Sequence, residues 1–216
     1  MQHVEDIKAA FKSDTFQTWI KSAITHVPEL KHEGIVCTAL AAALNQKKKV
    51  ALREHRQSSS KGHRRFDIFL DGTTSLEAKY HLDFDIASIQ KAQLKLTELR
   101  RKFAVLNKYG SWSAGEAVLF ELARLDSSYF LWSVCCRGLA PPDGTCMRGA
   151  SINWINRLNG EDALNPNMYV RNEIQKFITW TSENFRGIEG ITLETVAAEG
   201  TMLLSTLFVR RENSDA

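Results

Sequence analysis

The stretch that decides the fold is Arg65-Phe66-Asp67-Ile68-Phe69-Leu70-Asp71-Gly72, followed closely by Leu76-Glu77-Ala78-Lys79-Tyr80. Its two apolar runs, 66–70 and 76–80, have the composition of β-strands. Between them, Asp71-Gly72-Thr73 has the composition of a tight turn. The sequence therefore predicts a β-hairpin that carries two acids and a lysine.

The register of this hairpin follows from the length of its loop. Side chains alternate along a strand, so a three-residue loop pairs Leu70 with Thr74 and sets Asp67 opposite Glu77. A two-residue loop would shift the register by one and place the two acids on opposite faces. The other face of both strands is apolar, which predicts a central sheet covered by helices; these residues are Phe66, Ile68, Leu70, Leu76, Ala78 and Tyr80.

The pattern Asp67…Glu77-Ala78-Lys79 resembles the motif of the PD-(D/E)XK nuclease superfamily. Phe66 stands where that motif has its proline. The resemblance implies an α/β, restriction-endonuclease-like fold: a central mixed β-sheet flanked by helices, with an α-β-β-β-α-β core. The order of predicted elements agrees over about residues 29 to 137: a helix at 28–46, strands at 50–55 and in the hairpin, a helix at 85–103 and a buried strand at 129–136.

One domain, 1–216, is predicted. It comprises a helical cap at 1–27, a catalytic core at 28–137 and a C-terminal α/β extension at 138–216. The extension is predicted to contain a helix at 171–184 and strands at 191–196 and 201–210. These final strands are expected either to extend the sheet edge or to form a dimer contact.

The resemblance also implies a metal site. Mg²⁺, or Mn²⁺ in its place, prefers oxygen ligands and keeps several waters. Asp67, Glu77 and the backbone carbonyl of Ala78 are the predicted ligands. Lys79 is expected to orient the attacking water, help deprotonate it, or stabilise the developing charge, and neighbouring acids favour its ammonium form.

Further site residues are less sharply defined. The superfamily often takes a fourth acid from the first helix, for which Glu33 is the candidate and Glu29 the alternative. Gln90 and Gln93 on the following helix are candidates to reach the site, as a glutamine there does in some branches of the superfamily, and the sequence does not choose between them. His81 is a further candidate, although a hydrogen-bonded histidine at a strand end explains it as well.

A basic segment leads directly into Asp67. Its Gln57–Gly62 piece has the composition of a flexible loop, and only Glu54 opposes its positive charge. A basic segment beside an acidic metal site suits binding of a phosphate backbone, although a solvated surface loop is the alternative. The candidate nucleic-acid-binding residues are Lys47, Lys48, Lys49, Arg53, Arg56, Lys61, Arg64 and Arg65.

Composition agrees with a globular cytoplasmic enzyme. The chain has 216 residues, 25% of them charged and 44% hydrophobic, which excludes a disordered protein. The longest apolar run, 35–44, is too short to cross a membrane, and the N-terminus has no signal-peptide pattern. The four cysteines show no zinc-binding spacing, which favours a reduced chain.

These observations predict a metal-dependent nuclease that hydrolyses phosphodiester bonds, with DNA favoured by the resemblance. An endonuclease of restriction or defence type is expected, acting as a homodimer or within a larger complex. Two alternatives remain within the same fold: an RNA-cleaving nuclease, and a catalytically silent binding or assembly module. A third is an unrelated fold in which the acids form structural ion pairs, which a two-residue hairpin loop would support.

Overall fold

The computed structural model describes residues 3–26, 33–59, 62–82, 86–105, 113–123, 125, 129–136, 166–198 and 201–211. Within these ranges the backbone alone is described at 54–59, 62–65, 82, 86–87, 105 and 166–169. The alternative acid Glu29, the candidate Lys61 and the segment 137–165 lie outside the described residues.

The described elements form a mixed α/β structure around one open sheet. Seven helices are seen in the described ranges: α1 Val4–Phe11, α2 Asp14–His26, α3 Glu33–Gln46, α4 Ile86–Leu94, α5 Leu96–Val105, α6 Ala114–Ala123 and α7 Pro166–Asn184. The strands are β1 Ala51–Ser59, β2 Gly62–Leu70, β3 Thr74–Leu82, β4 Tyr129–Cys136, β5 Ile188–Thr192, β6 Val196–Ala198 and β7 Thr201–Arg210.

The sheet has the strand order β1-β2-β3-β4-β7-β5, with β6 paired to β7. The pair β3–β4 is parallel, whereas β1–β2, β2–β3, β4–β7 and β5–β7 are antiparallel. The C-terminal strand β7 therefore lies beside β4 inside the sheet, and β5 lies beyond it. Every residue of β4 is buried, as expected for a strand covered on both faces.

Two hydrophobic clusters cover the two faces of this sheet. One joins α1, α2 and α3 to one face of the strands, through residues such as Phe11, Phe16 and Leu40. The other joins α4, α5, α6 and α7 to the opposite face, through residues such as Phe120 and Phe177. Successive residues of β4 alternate between the two clusters, with Leu131 in the first and Trp132 in the second.

The hairpin between β2 and β3 has the predicted three-residue loop. Leu70 pairs with Thr74, and Asp71 and Gly72 adopt left-handed conformations, with φ of 46° and 72°. Glycine has no steric cost in that region. The Asp71 carboxylate also accepts the Val50 amide at 2.9 Å, which fixes the turn to the start of β1. The prediction of an odd-numbered loop is confirmed.

Helix α6 begins with a capping box formed by Ser113 and Glu116. The Glu116 carboxylate accepts the Ser113 amide at 3.0 Å, and the Ser113 hydroxyl accepts the Glu116 amide at 3.3 Å. This reciprocal pair satisfies two amide donors at the start of a helix. The prediction of β4 at 129–136 is also confirmed to the residue.

Several predicted elements have different bounds in the structure. The single helix predicted at 85–103 divides at Lys95, whose amide donates to Ala92 O in a tighter turn, and Leu94 at the division is 88% exposed. The predicted flexible loop at 57–62 is largely strand, because Ser58 and Ser59 pair with His63 and Gly62. The strand predicted at 191–196 ends at Thr192, and a separate short strand begins at Val196.

Candidate active site

The predicted acids lie where β2 and β3 stop pairing. The register of this pair runs from Leu70 with Thr74 to Ile68 with Leu76. One position further, the same register sets Asp67 opposite Glu77. Successive backbone amides of a strand point to opposite sides, so the amides of Ala78 and Tyr80 on β3 point to the side on which β2 lies.

Carboxylates take the place of strand pairing at both amides. Asp67 Oδ2 accepts the Ala78 amide at 2.8 Å, and Glu33 Oε2 accepts the Tyr80 amide at 3.2 Å. Two amides on one side of a strand lie about 7 Å apart. The first residue of α3 and the middle of β2 therefore bring two carboxylates to adjacent positions along β3. We call the point where β2 and β3 stop pairing the fork. The four residues Glu33, Asp67, Glu77 and Lys79 are called the fork cluster.

Lys79 is bound within this cluster. Its ammonium donates to Glu77 Oε1 at 3.0 Å and to the backbone carbonyl of Ala78 at 2.8 Å. The side chains of Lys79 and Glu77 are each 19% exposed. Burial disfavours the charged form, but the carboxylates of Glu77 and Glu33 outweigh that cost and raise the pKa of Lys79 above its ordinary value of 10.5. Lys79 is therefore an ammonium at neutral pH.

Cys37 lies against the cluster from α3, one helical turn after Glu33. Burial is the main cause that raises the pKa of its thiol, to about 12, and the charge of Asp67 adds to it. Glu33 and Glu77 act in the same direction, whereas Arg53 opposes them. A thiol with such a pKa is protonated at neutral pH and has little nucleophilic character. The carboxylates, rather than the cysteine, carry the chemistry available here.

Glu121 is an acid near the cluster that the sequence analysis missed. It lies on α6, is only 7% exposed, and its charge also raises the pKa of Lys79. Its helix neighbours Leu119, Phe120 and Leu122 are all buried. An acid flanked by apolar residues in the middle of a buried helix segment was the available signal, because a buried carboxylate requires a partner.

The remaining predicted site residues occupy different surroundings. The indole N–H of Trp132 donates to His81 Nδ1 at 3.0 Å, which ties His81 to the buried strand β4. Gln90 is exposed on α4 and Gln93 is partly buried there. The geometry thus brings together Glu33, Asp67, Glu77 and Lys79, with His81 further along β3.

The candidate nucleic-acid-binding residues have different surroundings: Arg53 and Lys49 contact other protein groups, whereas Lys47 and Lys48 are exposed. Arg53 is held inside the fold, since its guanidinium donates to Gly34 O at 2.5 Å and to Thr38 Oγ1 at 2.6 Å. Lys49 forms an ion pair with Asp6 at 3.1 Å. Lys47 and Lys48 are exposed after α3. Arg56, Arg64 and Arg65 lie on the paired strands β1 and β2.

Two of the three predicted metal ligands, Glu77 and the Ala78 carbonyl, accept hydrogen bonds from Lys79. Within the described ranges, no three histidine, cysteine, aspartate or glutamate side chains are grouped closely enough to bind a metal ion as they stand. Glu77 Oε1 and Ala78 O both accept from the Lys79 ammonium. A cation bound by both oxygens would therefore lie close to the Lys79 ammonium, whose positive charge opposes it. The donor set itself is entirely oxygen, which suits a hard divalent cation.

Comparisons with known proteins gave no match to any protein-family model, any curated protein or any solved structure. In the part of the chain that the structure describes, no helix has both the length and the apolar character needed to cross a membrane.

Proposed function

We propose that this protein is a metal-dependent nuclease that hydrolyses phosphodiester bonds, with the fork cluster as its active site. The observation that carries the proposal is the meeting of Glu33, Asp67, Glu77 and Lys79 at the point where β2 and β3 separate. Carboxylates and a backbone carbonyl at this point can bind a metal ion, and the ammonium can stabilise negative charge. These are functions that promote phosphodiester hydrolysis.

The arrangement of the elements supports a restriction-endonuclease-like fold. Helix α3 is followed by β1, β2 and β3, then by helices, then by β4 parallel to β3. That is the helix, three strands, helix, strand order which the PD-(D/E)XK resemblance implies. In that order the acids of the motif belong to the second and third strands, as Asp67 and Glu77 do here.

The charge of the site supports a divalent cofactor. Four carboxylates act through their charge on Lys79 or Cys37: Glu33, Asp67, Glu77 and Glu121. An excess of negative charge in a partly buried site is costly. A divalent cation would balance it.

The residues that would hold Mg²⁺ or Mn²⁺ are Asp67, Glu77 and the carbonyl of Ala78. Such an ion, when bound, lowers the pKa of a coordinated water and neutralises charge that develops on the phosphate. Glu33, fixed by the Tyr80 amide, is suited to orient water at the edge of the site. Lys79 carries a positive charge at neutral pH and is suited to stabilise developing negative charge on the phosphate oxygens.

A panel of substrates tests this function. Supercoiled plasmid, linear duplex DNA, single-stranded DNA and RNA are incubated with the protein in Mg²⁺, in Mn²⁺ and in EDTA. We expect cleavage of DNA in either metal and none in EDTA. Metal-dependent cleavage of RNA alone would show that the protein is a ribonuclease with the same active site. No cleavage of any substrate in either metal would contradict the proposal.

A further inference from the structure

The strands β1 and β2 continue their pairing well past the fork. Their register extends from Ala51 with Leu70 to Ser59 with Gly62, whereas the register of β2 with β3 ends at Ile68 with Leu76. Residues 54–59 and 62–66 of this pair therefore form a two-stranded arm that begins at the active site. We use the name arm for this segment.

Two arginines are direct partners in the arm. Arg56 pairs with Arg65, while the next residue, Arg64, pairs with the neutral Gln57. Directly opposed positions of an antiparallel pair lie about 5 Å apart between Cβ atoms, and like charges at such positions are destabilising. A pair of opposed cations is stabilised when an anion binds to both. The register thus marks Arg56 and Arg65, rather than Arg64, as an anion-binding pair.

The distance of this pair from the fork matches the spacing of a nucleic-acid strand. Arg65 lies two residues from Asp67 along β2, which corresponds to about 7 Å at 3.3 Å per residue. One DNA strand rises about 3.4 Å per nucleotide along the helix axis. A phosphate bound by Arg56 and Arg65 would therefore lie one or two nucleotides from the bond that is cut.

We infer that Arg56 and Arg65 form a phosphate clamp that binds the strand being cut beside its scissile bond. This inference rests on the proposed function and specifies its substrate class as a polynucleotide strand, not a small phosphodiester. The clamp positions the substrate and takes no part in bond breakage. Arg53, already bonded to α3, is not a member of the clamp.

The test compares Arg56→Gln and Arg65→Gln with the matched control Arg64→Gln, which removes the same charge from the neighbouring position. Binding of a fluorescein-labelled 30-base-pair DNA is measured by anisotropy over a range of salt, in a Glu77→Gln background that should not cleave it. We expect Arg56→Gln and Arg65→Gln each to weaken binding about tenfold and to lower the salt slope by about 1. Arg64→Gln is expected to change affinity less than about threefold. Equal losses in all three variants would overturn the clamp.

Hydrolysis of a small diester separates the clamp from the active site. With bis(p-nitrophenyl) phosphate and Mn²⁺, Arg56→Gln and Arg65→Gln in the otherwise native chain should lose a smaller fraction of the wild-type rate than they lose on DNA, because this substrate has no neighbouring phosphate. Equal fractional losses on the two substrates would contradict a positioning role confined to the flanking strand. If the wild-type protein hydrolyses no phosphodiester, the proposed nuclease function fails, whereas the binding comparison still decides whether the clamp exists. Thermal melting checks folding, and Arg56→Gln should melt no lower than wild type because it removes a repulsion.

Discussion

Oδ2 of Asp67 accepts the backbone amide of Ala78 at 2.8 Å, although the two residues lie eleven positions apart in the chain. The bond spans the fork at which β2 leaves β3. It gives the first unpaired amide of β3 an acceptor and fixes the Asp67 carboxylate in position. The Asp67 side chain therefore has two roles: it accepts the Ala78 amide in the fold, and we propose that it binds the metal ion.

This bond predicts a difference between two substitutions of Asp67. Asp67→Ala leaves a partly buried amide without its acceptor and should lower the free energy of unfolding by about 1–3 kcal/mol. Asp67→Asn retains a side-chain oxygen and should cost less. Urea unfolding of both variants measures the difference, while both should lose metal-dependent cleavage. Equal stability of Asp67→Ala and wild type would show that the bond does not support the fork.

A substitution of Glu33 can likewise test its role in cleavage separately from its role in stability. Glu33→Gln retains an oxygen that can accept the Tyr80 amide but removes the charge. We expect the free energy of unfolding to change by less than about 1 kcal/mol and the cleavage rate to fall about tenfold or more, which corresponds to an activation barrier raised by about 1.4 kcal/mol or more. Unfolding and single-turnover rates of the same preparation provide the check. An unchanged rate would make Glu33 a structural residue only.

The pH dependence of Lys79 follows from its acidic neighbours. Its pKa is raised above 10.5 in the folded protein, so the ammonium favours folding at every pH below 10.5. That contribution is lost as the pH rises through the folded value. In the metal-free protein, NMR titration of the Lys79 side chain should give a pKa above 10.5, and Glu77→Gln should lower it. A pKa below 10.5 in the native protein would refute the ion pair with Glu77.

Packing between α4 and α6 predicts a large effect at Gly115. A Cβ added there would lie 2.6 Å from the Ser88 carbonyl oxygen, whereas a Cβ at Gly34 in α3 meets nothing within 4 Å. Gly115→Ala should therefore destabilise the protein by about 1–3 kcal/mol. Gly34→Ala should leave its stability unchanged or raise it by less than about 1 kcal/mol. Denaturant midpoints of the two variants are compared, and similar midpoints would contradict the close approach.

The sequence was sufficient for the elements whose signals are local. Asp71-Gly72-Thr73 determines the loop length and hence the register of Asp67 with Glu77. The continuous apolar run of β4 was equally direct. Each of these features depends on residues close together in the chain, so composition and spacing were enough to predict it.

Features that depend on distant residues were not predictable in this way. The acid Glu121 approaches Lys79 only because α6 packs beside the sheet. Arg53 was assigned to the nucleic-acid-binding set because of its charge, but α3 supplies its hydrogen-bond partners. The pairing of Ser58 with His63 converts a sequence typical of a loop into strand. In each case tertiary contacts outweigh the local preference.

The most direct test of the account is cleavage of supercoiled plasmid in Mg²⁺ by wild type and by Glu77→Gln. Glu98→Gln, at an exposed acid on α5 away from the fork, is the matched control. We predict that the wild type and Glu98→Gln nick or linearise the plasmid, that EDTA abolishes cleavage, and that Glu77→Gln loses at least about 100-fold in rate while remaining folded by circular dichroism. Equal cleavage by Glu77→Gln and wild type, or no cleavage by wild type, would contradict a nuclease site at the fork.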